Sequence, residues 1–165
     1  MQRLKTRAQF QAVMAGGICS RTPHFVLHRL ALNASTAAAN PAAPHQAQHT
    51  TGPVNTQALF VVSGNKTGNQ HLAASWRWLG PLVPKRWARR SVTRHLLRRQ
   101  IYAVGADFAP RFPANTAYVV RLRSEFSRKQ FNSASSEPLR LAIRAELQHL
   151  FAYAVRKAEE AGAAP

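Results

Sequence analysis

The segment from Lys85 to Tyr102 constrains the fold of this chain more than any other. It holds seven of the 23 lysine and arginine residues, together with His95, in 18 positions that include no acidic residue. Aliphatic residues recur through it at helical spacing, which predicts a helix over about 90–104. The packed side of that helix is expected to carry Val92, Leu96, Leu97, Ile101, Ala103 and Val104, and the opposite arc Arg94, His95, Arg98, Arg99 and Tyr102. Such a helix buries one side in a core and presents cations to a structured polyanion on the other.

The charge of the whole chain indicates the same kind of partner. The formal net charge is +17, and all six acidic residues lie after position 106, whereas residues 1–106 carry 14 lysines and arginines. A fold with this imbalance repels itself, and a bound polyanion relieves the repulsion. Solubility alone requires a net charge of only about 2–8 in a small domain. The excess of arginine over lysine, 18 to five, fits folded RNA, and a GC-rich genome is the alternative explanation of it. DNA is not expected as a partner.

Composition also constrains the compartment. The single cysteine, Cys19, cannot form an intramolecular disulfide or a cysteine-based zinc site. No apolar run approaches the roughly 20 residues that span a bilayer, and the N-terminal segment is polar. The sequence therefore predicts a cytoplasmic protein without a membrane partner.

Periodicity and chain breakers divide the chain into few elements. Helices are predicted over 3–15, about 90–104 and from Ser136 to about 157, and strands over 24–32, 57–62, 76–83 and 118–122, with the last central or near-central. These elements predict a single domain over 1–157, a low-complexity insertion at about 33–75 and a frayed tail at 158–165. The predicted fold class is α/β in its α+β form, a two-layer sandwich of helices on a small sheet.

We find no set of residues in the sequence that supports catalysis by the protein itself. Six scattered acids do not build a carboxylate site for two-metal phosphodiester chemistry. His24 and His28 alternate along a predicted strand and so share a face. An acid–base pair for RNA cleavage is one interpretation of them, and ordinary strand positions are the favoured one. We predict no catalytic residue and no metal ligand.

Several motifs occur in a recognisable order. Seven residues separate Lys85-Arg86 from the core Arg94-His95-Leu96-Leu97-Arg98-Arg99. Residues 3–17 are R-L-K-T-R-A-Q-F-Q-A-V-M-A-G-G, residues 24–28 are H-F-V-L-H, and residues 79–86 are L-G-P-L-V-P-K-R. In these motifs, and in 118–121 and 147–151, the chain resembles the protein subunit of bacterial ribonuclease P, whose signature is K-K, about seven residues, then R-N-R-I-K-R-x-x-R-E. The resemblance covers nearly everything except about 33–75. His95 and Leu96 replace Asn and Arg of the family pattern, and Tyr102-Ala103 replaces its final Arg-Glu.

The resemblance implies a fold and a role. The fold is a sandwich on a small mixed sheet with a left-handed βαβ crossover through the basic helix. The role is that of an accessory subunit in an endoribonuclease whose catalytic RNA removes the 5′ leader from precursor tRNA. The expected partners are therefore this catalytic RNA and precursor tRNA, and magnesium is expected mainly on the RNA and substrate.

The resemblance also implies two sets of contact residues. Those expected on the catalytic RNA are Lys85, Arg86, Arg89, Arg90, Arg94, His95, Arg98 and Arg99. Those expected in a cleft for the single-stranded leader are Phe10, Val13, Met14, Phe25 and Leu27, where burial in the core is the alternative, above all for Val13 and Leu27.

A ribosomal or general RNA-binding protein without a role in tRNA processing is the main alternative. It explains the charge and the fold equally well, but not the spacing of the N-terminal motif and the basic helix.

Overall fold

A five-stranded mixed sheet forms the centre of the structure, a computed structural model that describes residues 1–32, 59–60, 76–127, 130–131, 133 and 136–162. Its strands are β1 (Gln2–Arg3), β2 (Ile18–Arg21), β3 (Phe25–Ala31), β4 (Arg77–Leu82) and β5 (Thr116–Leu122). The spatial order is β1-β4-β5-β3-β2. The β1–β4 and β4–β5 pairs are parallel, and the β5–β3 and β3–β2 pairs are antiparallel. The predicted central strand is therefore confirmed.

Three helices accompany the sheet: α1 (Arg7–Ala15), α2 (Ser91–Phe108) and α3 (Glu137–Gly162). α2 is the basic helix, and it connects the parallel strands β4 and β5. The predicted α+β class and the βαβ unit through the basic helix are thus present, and the hand of the crossover stays a prediction.

The ends of α1 follow from local sequence chemistry. The Thr6 hydroxyl accepts a hydrogen bond from the Gln9 amide at 3.3 Å, and Gln9 Oε1 accepts one from the Thr6 amide at 3.1 Å. This reciprocal capping box satisfies amides that an uncapped helix start leaves unpaired. Gly16 caps the other end, and Gly17 follows at φ +103°, a conformation that favours glycine. The helix begins later than the predicted residue 3 because residues 2–3 form β1.

Side-chain alternation along the strands produces an apolar cluster on each face of the sheet. The larger cluster lies under α2 and α3 and includes Leu79, Tyr118 and Val120 of the sheet. The predicted buried stripe of the last helix belongs to it in full: Leu139, Ile143, Leu147, Leu150 and Ala154. The smaller cluster lies under α1 and consists of Leu4, Val13, Phe60, Trp78, Ala117 and Val119.

Other boundaries differ from the prediction. α2 continues to Phe108 and α3 to Gly162, so residues 158–162 of the predicted tail are helical, while 163–165 lie outside the described residues. Val92, predicted on the packed side of α2, is 52% exposed, and Ala103 is also exposed. Of the insertion at 33–75, only Leu59 and Phe60 are described. These two lie in a 3₁₀ turn and not in the predicted strand 57–62.

The two described residues of the insertion are packed on the body of the protein. Gln9 Nε2 donates a hydrogen bond to the Leu59 carbonyl at 2.7 Å. The Phe60 ring meets Trp78 of β4 edge-on, with the ring centroids 5.6 Å apart. Leu59 and Phe60 therefore contact the protein where the start of α1 meets the sheet.

Candidate nucleic-acid interface

The eight residues predicted to bind the catalytic RNA lie along α2 and the loop before it, and we call them the α2 basic surface. Seven of them are exposed: Lys85, Arg86, Arg89, Arg90, His95, Arg98 and Arg99. Leu97 and Ile101 of the same helix are fully buried. The helical period thus separates an apolar side from a cationic side, as the sequence predicts.

Arg94 is the half-buried member of the α2 basic surface. Its Nη1 atom donates hydrogen bonds to the carbonyls of Ala88, at 3.0 Å, and Arg89, at 2.6 Å. The amides of Trp87 and Ala88 in turn donate to the Pro84 carbonyl, each at 3.2 Å. Arg94 therefore fixes the backbone of the loop that presents the neighbouring cations, in addition to carrying charge.

The start of α2 adds a backbone contribution to this surface. Arg90 is its N-cap and makes no capping hydrogen bond through its side chain, and the first turn holds no acidic residue. The first amides of a helix point outward and carry the positive end of the helix dipole. A phosphate at this end of α2 would therefore meet backbone donors as well as guanidinium groups.

Arg3 extends the α2 basic surface. The sequence prediction did not include this residue. Its guanidinium carbon lies 4.4 Å from the centroid of the Tyr102 ring. Burial raises the pKa of Tyr102, and the charges of Arg3 and Arg98 act in the opposite direction. Arg3 reaches this position because β1 pairs with β4, a contact between residues about 75 positions apart that no local pattern indicates.

On the other face of the sheet, α1 contributes two half-buried apolar side chains, Phe10 and Met14. The Phe10 ring is seated on Gly80 of β4, where a β-carbon would lie 2.6 Å from Phe10 Cε1. Val13, between them, is fully buried in the smaller cluster. Phe10 and Met14 are thus available at the edge of α1, while Val13 supports them from below.

The expected contribution of Phe25 and Leu27 to the same cleft is wrong. Both are fully buried in the larger cluster, under α2 and α3. Successive residues of a strand point to opposite faces, so the side chains of β3 that share a face with α1 are Val26 and His28. Val26 and His28 therefore lie on the face of the sheet that α1 covers, and Phe25 and Leu27 lie on the opposite face.

Strand register places two arginines beside Val26. Arg21 pairs with Val26, Val26 with Arg121, and Arg121 with Leu82, and residues paired in register share a face. This row crosses four strands next to the position of His28. We call the surface the α1 groove and define it by Phe10, Met14, Arg21, Val26, His28, Leu82 and Arg121.

The electrostatics of His28 are consistent with this arrangement. Its side chain is buried, and burial is the main cause that lowers its pKa. The charges of Arg121 and Arg21 lower the pKa further, while the Met14 backbone raises it. The α1 groove therefore combines a neutral imidazole and apolar side chains with two guanidinium groups.

His24 does not form an acid–base pair with His28. The His24 amide donates to Glu146 Oε1 at 2.6 Å, and its Nδ1 atom lies 2.8 Å from Glu146 Oε2. Its ring also stacks on Phe126 with centroids 3.9 Å apart. Four residues of extended chain separate the two histidines by about 13 Å. His24 therefore joins β3 to α3 and has a structural role.

Within the described ranges, no group of three or more His, Cys, Asp or Glu side chains is placed to hold a metal ion. No helix in this part of the chain is long and apolar enough to cross a membrane.

The α2 basic surface lies on the crossover helix, and the α1 groove lies on the other face of the sheet. Together with the fold, these two surfaces define a small basic α+β protein of the class that binds nucleic acid. Comparison with known proteins narrows this class. The family model described as Ribonuclease P matches residues 1–146, and the chain belongs to this family.

Individual relatives agree with the family match. The chain is 34% identical over 113 residues to a ribonuclease P protein component from Paraburkholderia xenovorans (strain LB400), covering 68% of this chain and 76% of the relative. It is 32% identical over 114 residues to the Burkholderia mallei (strain SAVP1) protein of the same name, covering 68% and 79%. The fold is similar to that of Staphylococcus aureus RNase P protein, with a TM-score of 0.54 at 15% identity, over 93% of this chain and 95% of that chain.

Proposed function

We propose that this protein is the RNA-binding subunit of a ribonuclease P and assists a catalytic RNA in removing the 5′ leader from precursor tRNA. The observation that supports the proposal is that one family fold carries two separate surfaces whose chemistry suits RNA. The α2 basic surface and the α1 groove lie on different elements and differ in chemistry. The α2 basic surface suits a folded polyanion, and the α1 groove suits a single-stranded RNA.

The α2 basic surface is assigned to the catalytic RNA. Its exposed guanidinium groups offer planar, bidentate hydrogen bonds to phosphate oxygens. Arg94 contributes by fixing the loop through the Ala88 and Arg89 carbonyls. Neutralising several phosphates releases counterions, so the affinity falls steeply with salt.

The α1 groove is assigned to the 5′ leader of precursor tRNA. Single-stranded RNA is commonly held by apolar or aromatic side chains that contact bases, above a basic surface that follows the backbone. Phe10 and Met14 supply the first kind of contact, and Arg21 and Arg121 the second. Val13 does not contact the leader directly in this proposal. It is buried in the smaller cluster and holds α1 against the sheet.

The catalytic centre and its magnesium ions are placed in the RNA partner. When bound there, magnesium would supply the activated water and charge stabilisation of phosphodiester cleavage. The described residues offer no ligand set for such an ion. The protein's part is to bind and orient both RNA molecules.

A cleavage assay on precursor tRNA at low magnesium tests the proposal. It compares the protein alone, a bacterial ribonuclease P RNA alone, and both together. We expect cleavage to accelerate only with both, and the double variant Arg98→Ala/Arg99→Ala to reduce the acceleration strongly. Arg156→Ala/Lys157→Ala, at two exposed positions on α3, is the matched control that removes two charges elsewhere. If the protein leaves the RNA's activity unchanged, a general RNA-binding protein is the better account.

Binding measurements separate the two surfaces. Arg121→Ala should weaken binding of the protein–RNA complex to precursor tRNA and leave its binding to tRNA without a leader unchanged. An equal loss for both ligands would contradict the assignment of the α1 groove to the leader.

A further inference from the structure

A cavity of about 60 Å³ opens beside the start of α2. It lies outside the α1 groove, and Arg89 and Arg90 of the α2 basic surface are among the residues that line it. A single water needs about 10–15 Å³ of such space, so the cavity accepts a larger group. We call it the α2 pocket. It lies between the loop before α2 and the segment that follows β5, with Trp87 on one side and Phe126 and Phe131 on the other.

The walls of the α2 pocket are aromatic and its floor is aliphatic. Phe126 and Phe131 meet edge-on, with ring centroids 6.1 Å apart at 72°. Leu97, which is fully buried, and Leu139, which is 3% exposed, line its inner end. A lining of this kind favours a flat, partly apolar ring and disfavours a hydrated phosphate.

Several contacts hold the α2 pocket in shape. Arg94 fixes the Ala88 and Arg89 carbonyls on one side. On the other side, Phe126 stacks against His24, which is itself bonded to Glu146. Because the pocket is already formed, the protein loses little conformational entropy when a ligand binds in it.

Charged side chains of both signs line the α2 pocket. Arg89 and Arg90 line it and are exposed, so they can hold the phosphate backbone of an RNA. Glu125 also lines it and is one of only six acids in the chain. A carboxylate repels phosphate, but it accepts hydrogen bonds from the amino group of a base such as cytosine.

We propose that the α2 pocket binds an unpaired nucleobase of the RNA held by the α2 basic surface, and that it prefers a base with an exocyclic amino group. The base ring lies among Trp87, Phe126 and Phe131. Glu125 accepts a hydrogen bond from the amino group, and Arg89 and Arg90 contact the adjoining phosphates. This inference rests on the proposed RNA-binding function, and it adds recognition of a base to the binding of the backbone.

Three small probes test the proposal with the full-length protein at low salt. Cytidine 5′-monophosphate carries the amino group, uridine 5′-monophosphate has a carbonyl in its place, and ribose 5-phosphate has no base. The NMR signal of the Trp87 indole N–H reports occupancy. We expect saturable binding of the cytidine nucleotide, about fivefold or more weaker binding of the uridine nucleotide, and weaker binding still of ribose 5-phosphate.

Variants identify the residues that recognise the base. Phe131→Ala should weaken cytidine nucleotide binding about fivefold or more and leave ribose 5-phosphate binding unchanged. Glu125→Gln, at an exposed position, should remove the preference for cytidine over uridine. Tyr153→Ala, an exposed aromatic on α3 outside the pocket, is the matched control and should change nothing.

Equal binding of the cytidine nucleotide and ribose 5-phosphate would overturn the proposal, because the site would then recognise phosphate alone. Equal binding of the two nucleotides, or no shift of the Trp87 signal, would overturn it as well. None of these outcomes bears on the cleavage assay with precursor tRNA. Failure of the α2 pocket and failure of the proposed function are therefore distinguishable.

Discussion

At the scale of single residues, Gly80 determines how closely α1 approaches the sheet. A β-carbon at this position would lie 2.6 Å from Phe10 Cε1 and 2.8 Å from Leu4 Cδ1. Both atoms belong to side chains packed in or against the smaller cluster. The absence of a side chain on β4 therefore sets the position of the aromatic ring in the α1 groove.

Replacement of Gly80 by alanine should lower the free energy of unfolding by about 1–3 kcal/mol, because Phe10 or Leu4 must move to admit the methyl group. Urea unfolding monitored by circular dichroism measures the change. The loss should be smaller when Phe10→Ala is already present, since that variant removes the crowded ring. Additive losses in the double variant would show that Phe10 is not the residue displaced.

Cys19 should resist thiol reagents in the folded protein. Burial raises the pKa of its thiol from 9.0 to about 11. The reactive thiolate is therefore about 100-fold scarcer at pH 8 than in the unfolded chain, and the reaction with an aromatic disulfide should slow accordingly. Comparison of the rates in buffer and in denaturant provides the test, and similar rates in the two would refute it.

The same shift makes the stability of the folded protein depend on pH in the alkaline range. Because the pKa in the folded state is higher than in the unfolded state, the contribution is fully present below pH 9.0 and is lost as pH rises toward about 11. Cys19→Ser removes this contribution, so its free energy of unfolding should depend less on pH over that interval.

Errors of the sequence prediction at this scale have a common physical cause. The alternation of Phe25 and Leu27 against Val26 and His28 is visible in the sequence. Which of the two faces α1 packs against is decided by tertiary structure, and the sequence prediction chose the wrong pair. Arg3 was missed for the same reason, since its contact with Tyr102 requires strand pairing over a long separation.

At the scale of elements, α2 combines two kinds of arginine. Arg94 is bonded to two backbone carbonyls of the preceding loop, whereas Arg98 is exposed one turn later. Residues that look equivalent in the sequence motif therefore differ in what their loss removes. Arg94 supports the shape of the surface, and Arg98 supplies charge to it.

Alanine variants should separate these two roles. Arg94→Ala should lower the free energy of unfolding by about 0.5–1.5 kcal/mol, because the partly buried Ala88 carbonyl and the exposed Arg89 carbonyl lose their donor. Arg98→Ala should change it by less than about 0.5 kcal/mol. For Arg98→Ala, the slope of the logarithm of RNA affinity against the logarithm of salt should fall by about one. Urea unfolding and filter binding provide the measurements, and equal stability of the two variants would contradict the loop-fixing role of Arg94.

Elements with a strong periodic pattern were the ones predicted from the sequence. α2, α3, β3, β4 and β5 were found close to their predicted places because each carries a run of buried residues. β1 and β2 were missed because two and four residues are too short to display alternation, and both obtain their hydrogen bonds from strands that other elements stabilise. α3 extends beyond its predicted end because no glycine or proline interrupts residues 158–161.

At the scale of the whole molecule, the net charge of +17 should make salt act in opposite directions on folding and on RNA binding. Salt screens repulsion among the cations and should raise the free energy of unfolding between about 0.05 and 0.5 M. The same increase in salt weakens RNA binding. The slope of the logarithm of RNA affinity against the logarithm of salt should be about −5 to −6 if seven cations contact phosphates. Urea unfolding and filter binding over one salt series test both parts. A free energy of unfolding that falls with salt would contradict the repulsion argument.

The position of β5 in the sheet has a consequence for synthesis of the protein on the ribosome. β5 is the last strand to be translated, yet it lies between β4 and β3 and pairs with both. Until residues 116–122 have left the exit tunnel, the β1–β4 pair and the β2–β3 hairpin have no strand to join them. The nascent chain therefore spends most of its translation without a completed sheet, and assembly of the core is delayed until the final third of the chain emerges.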